Sequence, residues 1–254
     1  MILIALLVNS AGLISSSLRN LNPSNESPTQ AAVIVPDPAN PGVDYYTFSL
    51  PGVLNTLGEG IRYSLYEGAT QSFPNITNQP PVTNYDVTEH LAAVPHCNGT
   101  DYWVIYHGAA AAVQDKFLAY QVSAAGVASS PVMSNSFSVP VPRSGNDWIG
   151  QIDVAPNGRY MAVTEGSSNL CFLYELDRAT GQITFINTVA GGNINGHSFS
   201  PNSEFLYITG SYGVIKQYKV QDMLTCGGAI PFKTASNTRT ATGAGPSRKM
   251  IPIL

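Results

Sequence analysis

Short apolar segments alternate with turn-forming residues along most of the chain. Val, Ile, Tyr and Phe recur at about every second position, and Gly, Pro, Asn or Asp follows each segment, a pattern typical of β-strands. The strongest segment is Tyr102-Trp103-Val104-Ile105-Tyr106. No convincing helical period lasts longer than two turns, so the pattern predicts an all-β protein. The predicted strands are Ala31–Val35, Tyr45–Phe48, Arg62–Tyr66, Tyr102–Tyr106, Lys116–Val122, Tyr160–Thr164, Leu170–Leu176, Gln182–Asn187, Phe205–Thr209 and Val214–Val220.

A repeated phrase organises these strands. Val154–Thr164 aligns with Phe199–Thr209, 45 residues further on, and both contain a proline followed by a turn dipeptide. Proline cannot donate a hydrogen bond to a strand ladder, and Asn-Gly or Asn-Ser favours a tight turn. Looser copies lie earlier and later in the chain. The repeat markers are Pro36, Pro95, Pro156, Asn157, Gly158, Pro201 and Asn202, with Pro246 opening one more copy.

This spacing predicts a β-propeller of four-stranded antiparallel blades. A repeat of about 40–50 residues fits one blade, and stacking the blades radially buries the faces that a single sheet leaves bare. A β-sandwich is the alternative, but the repeated phrase favours the propeller. We expect about four to five blades over residues 31–254, and a partial first blade with a Ser/Asn/Pro-rich loop over residues 1–30.

Both ends of the chain are expected to fall within a blade. Either the two ends pair to close a small ring, or the sequence is a piece of a longer propeller. The apolar segment Met1–Val8 fits a strand. A signal peptide is the alternative, but it is disfavoured because no basic residue precedes the segment.

Composition narrows the function classes. Charged residues make up 11% of the chain and the net charge is −4, so nothing favours a nucleic-acid partner. No segment reaches the roughly 20 apolar residues of a membrane-spanning helix. The three cysteines, Cys97, Cys171 and Cys226, lack metal-site spacing. We expect small buried or half-buried apolar residues there, with one disulfide plus one free thiol as the alternative.

Several phrases resemble a known group of proteins. They include Ala93–Ile105, Phe117–Val122, Ala155–Gly158 and Phe199–Tyr207. They are similar to the WD40-like propeller regions of secreted proteins from gliding bacteria, which often carry a gliding-motility-associated C-terminal domain read by the type IX secretion system. The resemblance covers roughly residues 28–223, and no sorting domain follows. It implies a cell-surface or extracellular setting and no defined catalytic chemistry. In WD40 repeats a Gly-His pair belongs to a structural hydrogen-bond network, and Gly196-His197 fits that place.

Three residues are candidate ligand contacts: Asp147, Trp148 and Trp103. A tryptophan after a polar loop can stack on a sugar ring or a peptide, although a tryptophan wedged between blades is the alternative. His90, His96, Asp101 and His107 cluster in sequence, but their spacing is not that of a metal site, so turn or core histidines are expected. No cofactor motif is present. Propeller hydrolases place carboxylates around a central channel. The acidic residues within or beside the best repeats are Asp153, Glu165, Glu175, Asp177 and Glu204.

The sequence therefore favours a non-catalytic binding or scaffold module outside the cell, with a protein or polysaccharide ligand and contacts to other domains of a longer polypeptide. One alternative is a lactonase-like or glycan-cleaving propeller enzyme. Another is an intracellular WD40-type scaffold. The enzyme alternative requires carboxylates or histidines to converge, and it fails if Asp153, Glu165 and His197 all point into solvent on separate blades.

Overall fold

The computed structural model describes nine segments of the chain. They are residues 32–50, 62–73, 87–109, 112–136, 150–165, 170–190, 194–210, 214–225 and 230–236. Within these segments, no helix is long and apolar enough to cross a bilayer. The predicted strand Met1–Val8, the pair Asp147-Trp148, Cys226 and the marker Pro246 lie outside the described residues.

The strands form four antiparallel sheets, which we call blades 1 to 4 in chain order. Blade 1 contains β1 (Ala32–Pro36), β2 (Tyr45–Ser49) and β3 (Arg62–Tyr66). Blade 2 contains β4 (Val87–Pro95), β5 (Tyr102–Gly108), β6 (Lys116–Ser123), β7 (Gly126–Val127) and β8 (Val132–Asn135), the last two both paired with β6. Blade 3 contains β9 (Gly150–Val154), β10 (Tyr160–Glu165), β11 (Leu170–Leu176) and β12 (Ile183–Ala190). Blade 4 contains β13 (Ile194–Phe199), β14 (Phe205–Gly210), β15 (Val214–Lys219) and β16 (Phe232–Ser236), with the helix α1 (Val220–Thr225) before β16.

The first strand of each blade contacts the first strand of the next. β1 contacts β4, β4 contacts β9, and β9 contacts β13, so these four strands form the inner edge of a fan of sheets. Each later strand of a blade lies further from that edge. The prediction of an all-β propeller with antiparallel blades is confirmed, with four blades in the described part of the chain.

The hydrophobic core lies between the blades rather than within any one of them. Three apolar clusters fill the spaces between blades 1 and 2, 2 and 3, and 3 and 4. Strand β5 shows how one strand serves two of them: Val104 and Tyr106 face blade 1, whereas Trp103 and Ile105 face blade 3. All four are under 5% exposed. Burying one such side chain stabilises the fold by roughly 1.5–3 kcal/mol, which explains why the central strands read as continuous apolar runs.

The repeated Asn residues brace the turns that follow the inner strands. The Oδ1 atom of Asn157 accepts a hydrogen bond from Arg159 N, and that of Asn202 accepts one from Glu204 N. Asn98 Oδ1 accepts from Thr100 N in the same way in blade 2. A side chain that bonds to the backbone two residues on is the reason asparagine favours such turns. The next residue in each turn has a positive φ: Gly99, Gly158 and Ser203 at 79°, 70° and 62°.

The marker prolines occupy two different places in these turns. Pro156 and Pro201 are the second residue after the inner strand, following Ala155 and Ser200, whose N–H groups bond back across the turn. Pro36 and Pro95 are instead the last residues of β1 and β4, two positions earlier in the register. The residues that align with Pro156 are Pro38 in blade 1 and Cys97 in blade 2. Pro36 and Pro95 therefore do not occupy the same position in their blades as Pro156 and Pro201. The distance from Pro95 to Pro156 is not the length of one repeat.

Candidate functional site

Polar side chains of the inner strands join blade 3 to blade 4. Strand β13 pairs with β14 along one edge only, which leaves N–H groups on its other edge that need acceptors. Gln151 Oε1 on β9 accepts from His197 N at 3.3 Å, and Asp153 Oδ2 accepts from Phe199 N at 3.0 Å. Side chains of one blade thus continue the hydrogen-bond ladder of the next. We call this contact the 3/4 seam.

Asp153 is half-buried in the 3/4 seam. Desolvation by burial raises the pKa of its carboxyl group, and hydrogen bonds from Phe199 N–H and the Ser198 hydroxyl oppose that rise. A carboxyl with a raised pKa is suited to proton transfer near neutral pH.

His197 lies in the same seam, and its Nε2–H donates to the carbonyl oxygen of Ala162 at 3.0 Å. Burial lowers the pKa of His197 to about 4, so the ring is neutral at pH 7. Its Nδ1 atom is buried and has no hydrogen-bond partner among the described residues. The structural role expected for Gly196-His197 is confirmed, and its partner is the neighbouring blade.

The contact between blades 2 and 3, the 2/3 seam, is built in a similar way. His90 on β4 donates from Nε2 to the carbonyl oxygen of Thr164 at 2.8 Å, and its Nδ1 accepts from the Thr88 hydroxyl at 2.7 Å. The ring reaches β10 because Gly150 lies beneath it: a Cβ atom there would be 2.7 Å from His90 Cε1 and closer still to Nε2. Two histidines therefore bind β10 from opposite sides.

Glu165 belongs to the 2/3 seam as well. It pairs with Gly150 across the β9–β10 ladder and lies on the same face of β10 as Met161 and Val163, the face packed against blade 2. It is 8% exposed. Asp153 and His197 therefore share one seam and Glu165 and His90 the other, so none of them stands alone in solvent on a separate blade.

The remaining sequence candidates are dispersed. Glu175 pairs with Arg159 at 2.9 Å on the exposed surface, and the Asp177 carboxylate accepts from the Thr180 hydroxyl in the β11–β12 turn. The Thr180 hydrogen bond is the main cause that lowers the pKa of Asp177. Glu204 is an exposed turn residue. In the segments that the structure describes, no three His, Cys, Asp or Glu side chains lie close enough together to hold a metal ion.

Trp103 lies inside the 2/3 interface. It is 4% exposed, its indole N–H donates to the carbonyl oxygen of Arg178 at 2.8 Å, and its ring covers Gly181. His96 packs on the same ring with centroids 5.5 Å apart. The indole thus joins blade 2 to the β11–β12 turn of blade 3.

A second site is a groove that the sequence analysis missed. It has a volume of about 800 Å³ and is lined by the β9–β10 turn of blade 3, the β13–β14 turn of blade 4, α1 and β16. Phe232, at its outer side, is 49% exposed. Three of its lining residues were named from the sequence: Asn157 and Asn202 as turn residues and Glu204 as an acidic candidate.

Comparisons with known proteins agree on the fold. No protein-family model and no curated protein matches the chain. A solved structure of the periplasmic gluconolactonase from Pseudomonas aeruginosa is similar, with a TM-score of 0.51 and 13% identity over 80% of this chain and 53% of that one. A putative 6-phosphogluconolactonase from Bacteroides fragilis gives 0.48 and 14% over 78% and 53%, and the Dos1 propeller gives 0.45 and 12% over 75% and 44%. The chain spans about half the length of each of the first structures that it matches.

At such low identity the likeness shows the β-propeller fold alone. It confirms the propeller part of the family resemblance, and the links to type IX secretion and gliding stay predictions.

Proposed function

We propose that this chain supplies blades of a propeller hydrolase that opens a sugar lactone. The observation that carries the proposal is that each of two successive seams at the inner edge holds one carboxyl and one imidazole group, Asp153 and His197 in the 3/4 seam and Glu165 and His90 in the 2/3 seam. The name of the periplasmic gluconolactonase supports the substrate class and a location outside the cytoplasm.

The reaction needs one proton acceptor and one proton donor. A water molecule attacks the lactone carbonyl carbon, the bond from that carbon to the ring oxygen breaks, and the water proton ends on the ring oxygen to give the open sugar acid. We assign Asp153 to take and return that proton, because it lies in the 3/4 seam and burial raises its pKa above that of an ordinary carboxyl group. A positioned base of this kind contributes about 10²–10⁴-fold to a rate.

The test is hydrolysis of D-glucono-1,5-lactone followed in a pH-stat, with Asp153→Asn as the deciding variant. Asparagine keeps an oxygen that can accept from Phe199 N but loses the basic carboxylate. We expect a rate loss of at least 100-fold with little change in Tm. Glu175→Gln, on the exposed surface, is the control and should leave the rate unchanged. No hydrolysis above the uncatalysed rate by the unaltered protein would overturn the proposal, as would full activity of Asp153→Asn.

A binding module without catalysis is the second candidate. It is favoured by the hydrogen bonds that already hold these groups, since Asp153, His90 and His197 each bond to backbone of a neighbouring blade. In that case the unaltered protein and Asp153→Asn both leave the lactone to hydrolyse at the uncatalysed rate, and their Tm values differ little.

A further inference from the structure

The groove beside blade 4 combines features of a ligand site. Its volume of about 800 Å³ lies within the 300–1,000 Å³ of typical small-molecule pockets. It is separate from the seams, because neither Asp153 nor the buried histidines line it. The two turns at its rim are joined directly, since Asn157 N donates to Ser203 Oγ at 3.0 Å.

The rim presents amide donors from two consecutive blades. Asn157 and Asn202 use Oδ1 to brace their own turns. Within the described segments, neither Nδ2 group enters a hydrogen bond, so four N–H donors remain at one side of the groove. The two asparagines occupy equivalent turn positions in adjacent blades, so each blade contributes one amide to the lining of the groove.

An aromatic ring provides the apolar part of the groove. Phe232 is 49% exposed, and its ring contacts Tyr218 at 5.4 Å between centroids and Lys216 Nζ at 4.9 Å. These contacts hold the ring in place while half of it stays accessible. Such a ring offers a flat apolar surface for the C–H face of a sugar.

The charges that line the groove balance. Lys219 and Lys233 provide two positive charges, and Glu204 and Asp222 provide two negative ones. The four lining charges cancel, and Lys216 adds one ammonium group beside the Phe232 ring, so no large excess of either sign is present to select an ion. The amide, ammonium and carboxylate groups suit the paired hydroxyls of a sugar ring.

We propose that this groove binds a neutral oligosaccharide, with one sugar ring stacked on Phe232 and sugar hydroxyls accepting hydrogen bonds from Asn157 and Asn202. The inference does not depend on lactone hydrolysis, because it uses different residues and a different ligand.

The experiment is calorimetric titration of the full chain with cellotetraose, xylotetraose, laminaritetraose and chitotetraose. At least one should bind with a Kd below about 1 mM. Phe232→Ala should weaken that binding at least tenfold, and Phe232→Tyr should restore it. Met133→Ala, which removes a hydrophobic side chain 41% exposed on blade 2, is the control and should have no effect.

The amide donors are tested by Asn157→Asp and Asn202→Asp. Each aspartate keeps the oxygen that braces the turn but loses both N–H donors, so affinity should fall at least fivefold while Tm stays within about 2 °C. Asn98→Asp makes the same change in the equivalent turn of blade 2, outside the groove, and should not alter binding. The proposal is overturned if none of the four sugars binds at 5 mM, or if binding survives both Phe232→Ala and the paired Asn157→Asp and Asn202→Asp changes. Binding of gluconate alone would also overturn it.

Discussion

Replacing Gly150 by alanine should strongly destabilise the protein. A Cβ atom at this position would lie 2.7 Å from His90 Cε1 and closer still to His90 Nε2 and Thr164 O, whereas real Cβ contacts are essentially never under 3.0 Å. Either the His90 ring or the β9–β10 ladder must move. Overpacking of this kind costs about 1–3 kcal/mol.

The displaced ring adds a second cost. His90 Nε2 would lose the carbonyl of Thr164, and a buried donor without a partner costs about 1–3 kcal/mol. The smaller conformational freedom of alanine in the unfolded chain returns about 0.4–1 kcal/mol. The net loss in free energy of unfolding is therefore about 1–6 kcal/mol, with a central value of about 3 kcal/mol.

Urea unfolding followed by circular dichroism measures this loss. Gly196→Ala is the matched control, because Gly196 is also an inner-strand glycine. Its added Cβ would meet only the side-chain atoms Gln151 Oε1 at 3.3 Å and Thr209 Oγ1 at 3.7 Å. The control should change stability by less than about 1 kcal/mol, since both neighbours are side-chain ends that can move. If Gly150→Ala unfolds at the same urea concentration as Gly196→Ala, the His90 contact does not join the blades as described.

Three further predictions concern single residues. Ser203→Ala should destabilise the fold by about 1 kcal/mol, because it removes the hydroxyl that accepts from Asn157 N. Ser203→Gly loses the same hydroxyl but should be nearly neutral, because glycine also relieves the strain of a positive φ. Thermal melts of both variants measure the difference. In the Cys226→Ser variant, a thiol reagent should label exposed Cys97 quickly and Cys171 very slowly. Cys171 is slow because it is buried, and burial raises its pKa to about 12. Labelling kinetics with two fast thiols would contradict this prediction. The pKa of His197 is about 4 in the fold and 6.5 in the unfolded chain, so between these values the unfolded chain binds one more proton. The free energy of unfolding is therefore unaffected by this residue above pH 6.5 and falls as the pH drops toward 4, by up to about 3 kcal/mol. His197→Gln should flatten that part of the pH profile of unfolding, and an unchanged slope would refute the assignment.

The middle strands of the blades were predictable from sequence, and several inner and outer strands were not. Strands such as β5 and β11 are buried on both faces, so apolar β-formers fill them. The inner strand β4 carries Glu89 and His90 at 2% and 0% exposure, and its polar residues break the expected pattern. Strand β16 has an exposed Phe232 and polar neighbours, and its sequence resembles a loop.

The seams were beyond sequence reasoning for a different reason. His90 and Thr164 are 74 residues apart, and Asp153 and Phe199 are 46 apart, so no local spacing connects them. Turn chemistry, by contrast, is local: Asn157, Gly158 and Asn202 were correctly placed in turns because the bonds that favour them lie within two residues. Proline alone was a poorer guide, since it ends β1 and β4 but follows β9 and β13.

The two histidines that bind β10 from opposite sides make the blades non-interchangeable. Blade 3 offers the carbonyl of Thr164 to the blade before it and that of Ala162 to the blade after it, and only a blade with both neighbours can use both. A copy of blade 4 placed third would put Ile194 at the register position of Gly150. An isoleucine there leaves no space for the His90 ring. Blade 3 is therefore specific to its position between blades 2 and 4. Blade shuffling or insertion in this protein should therefore fail even though the turns look alike.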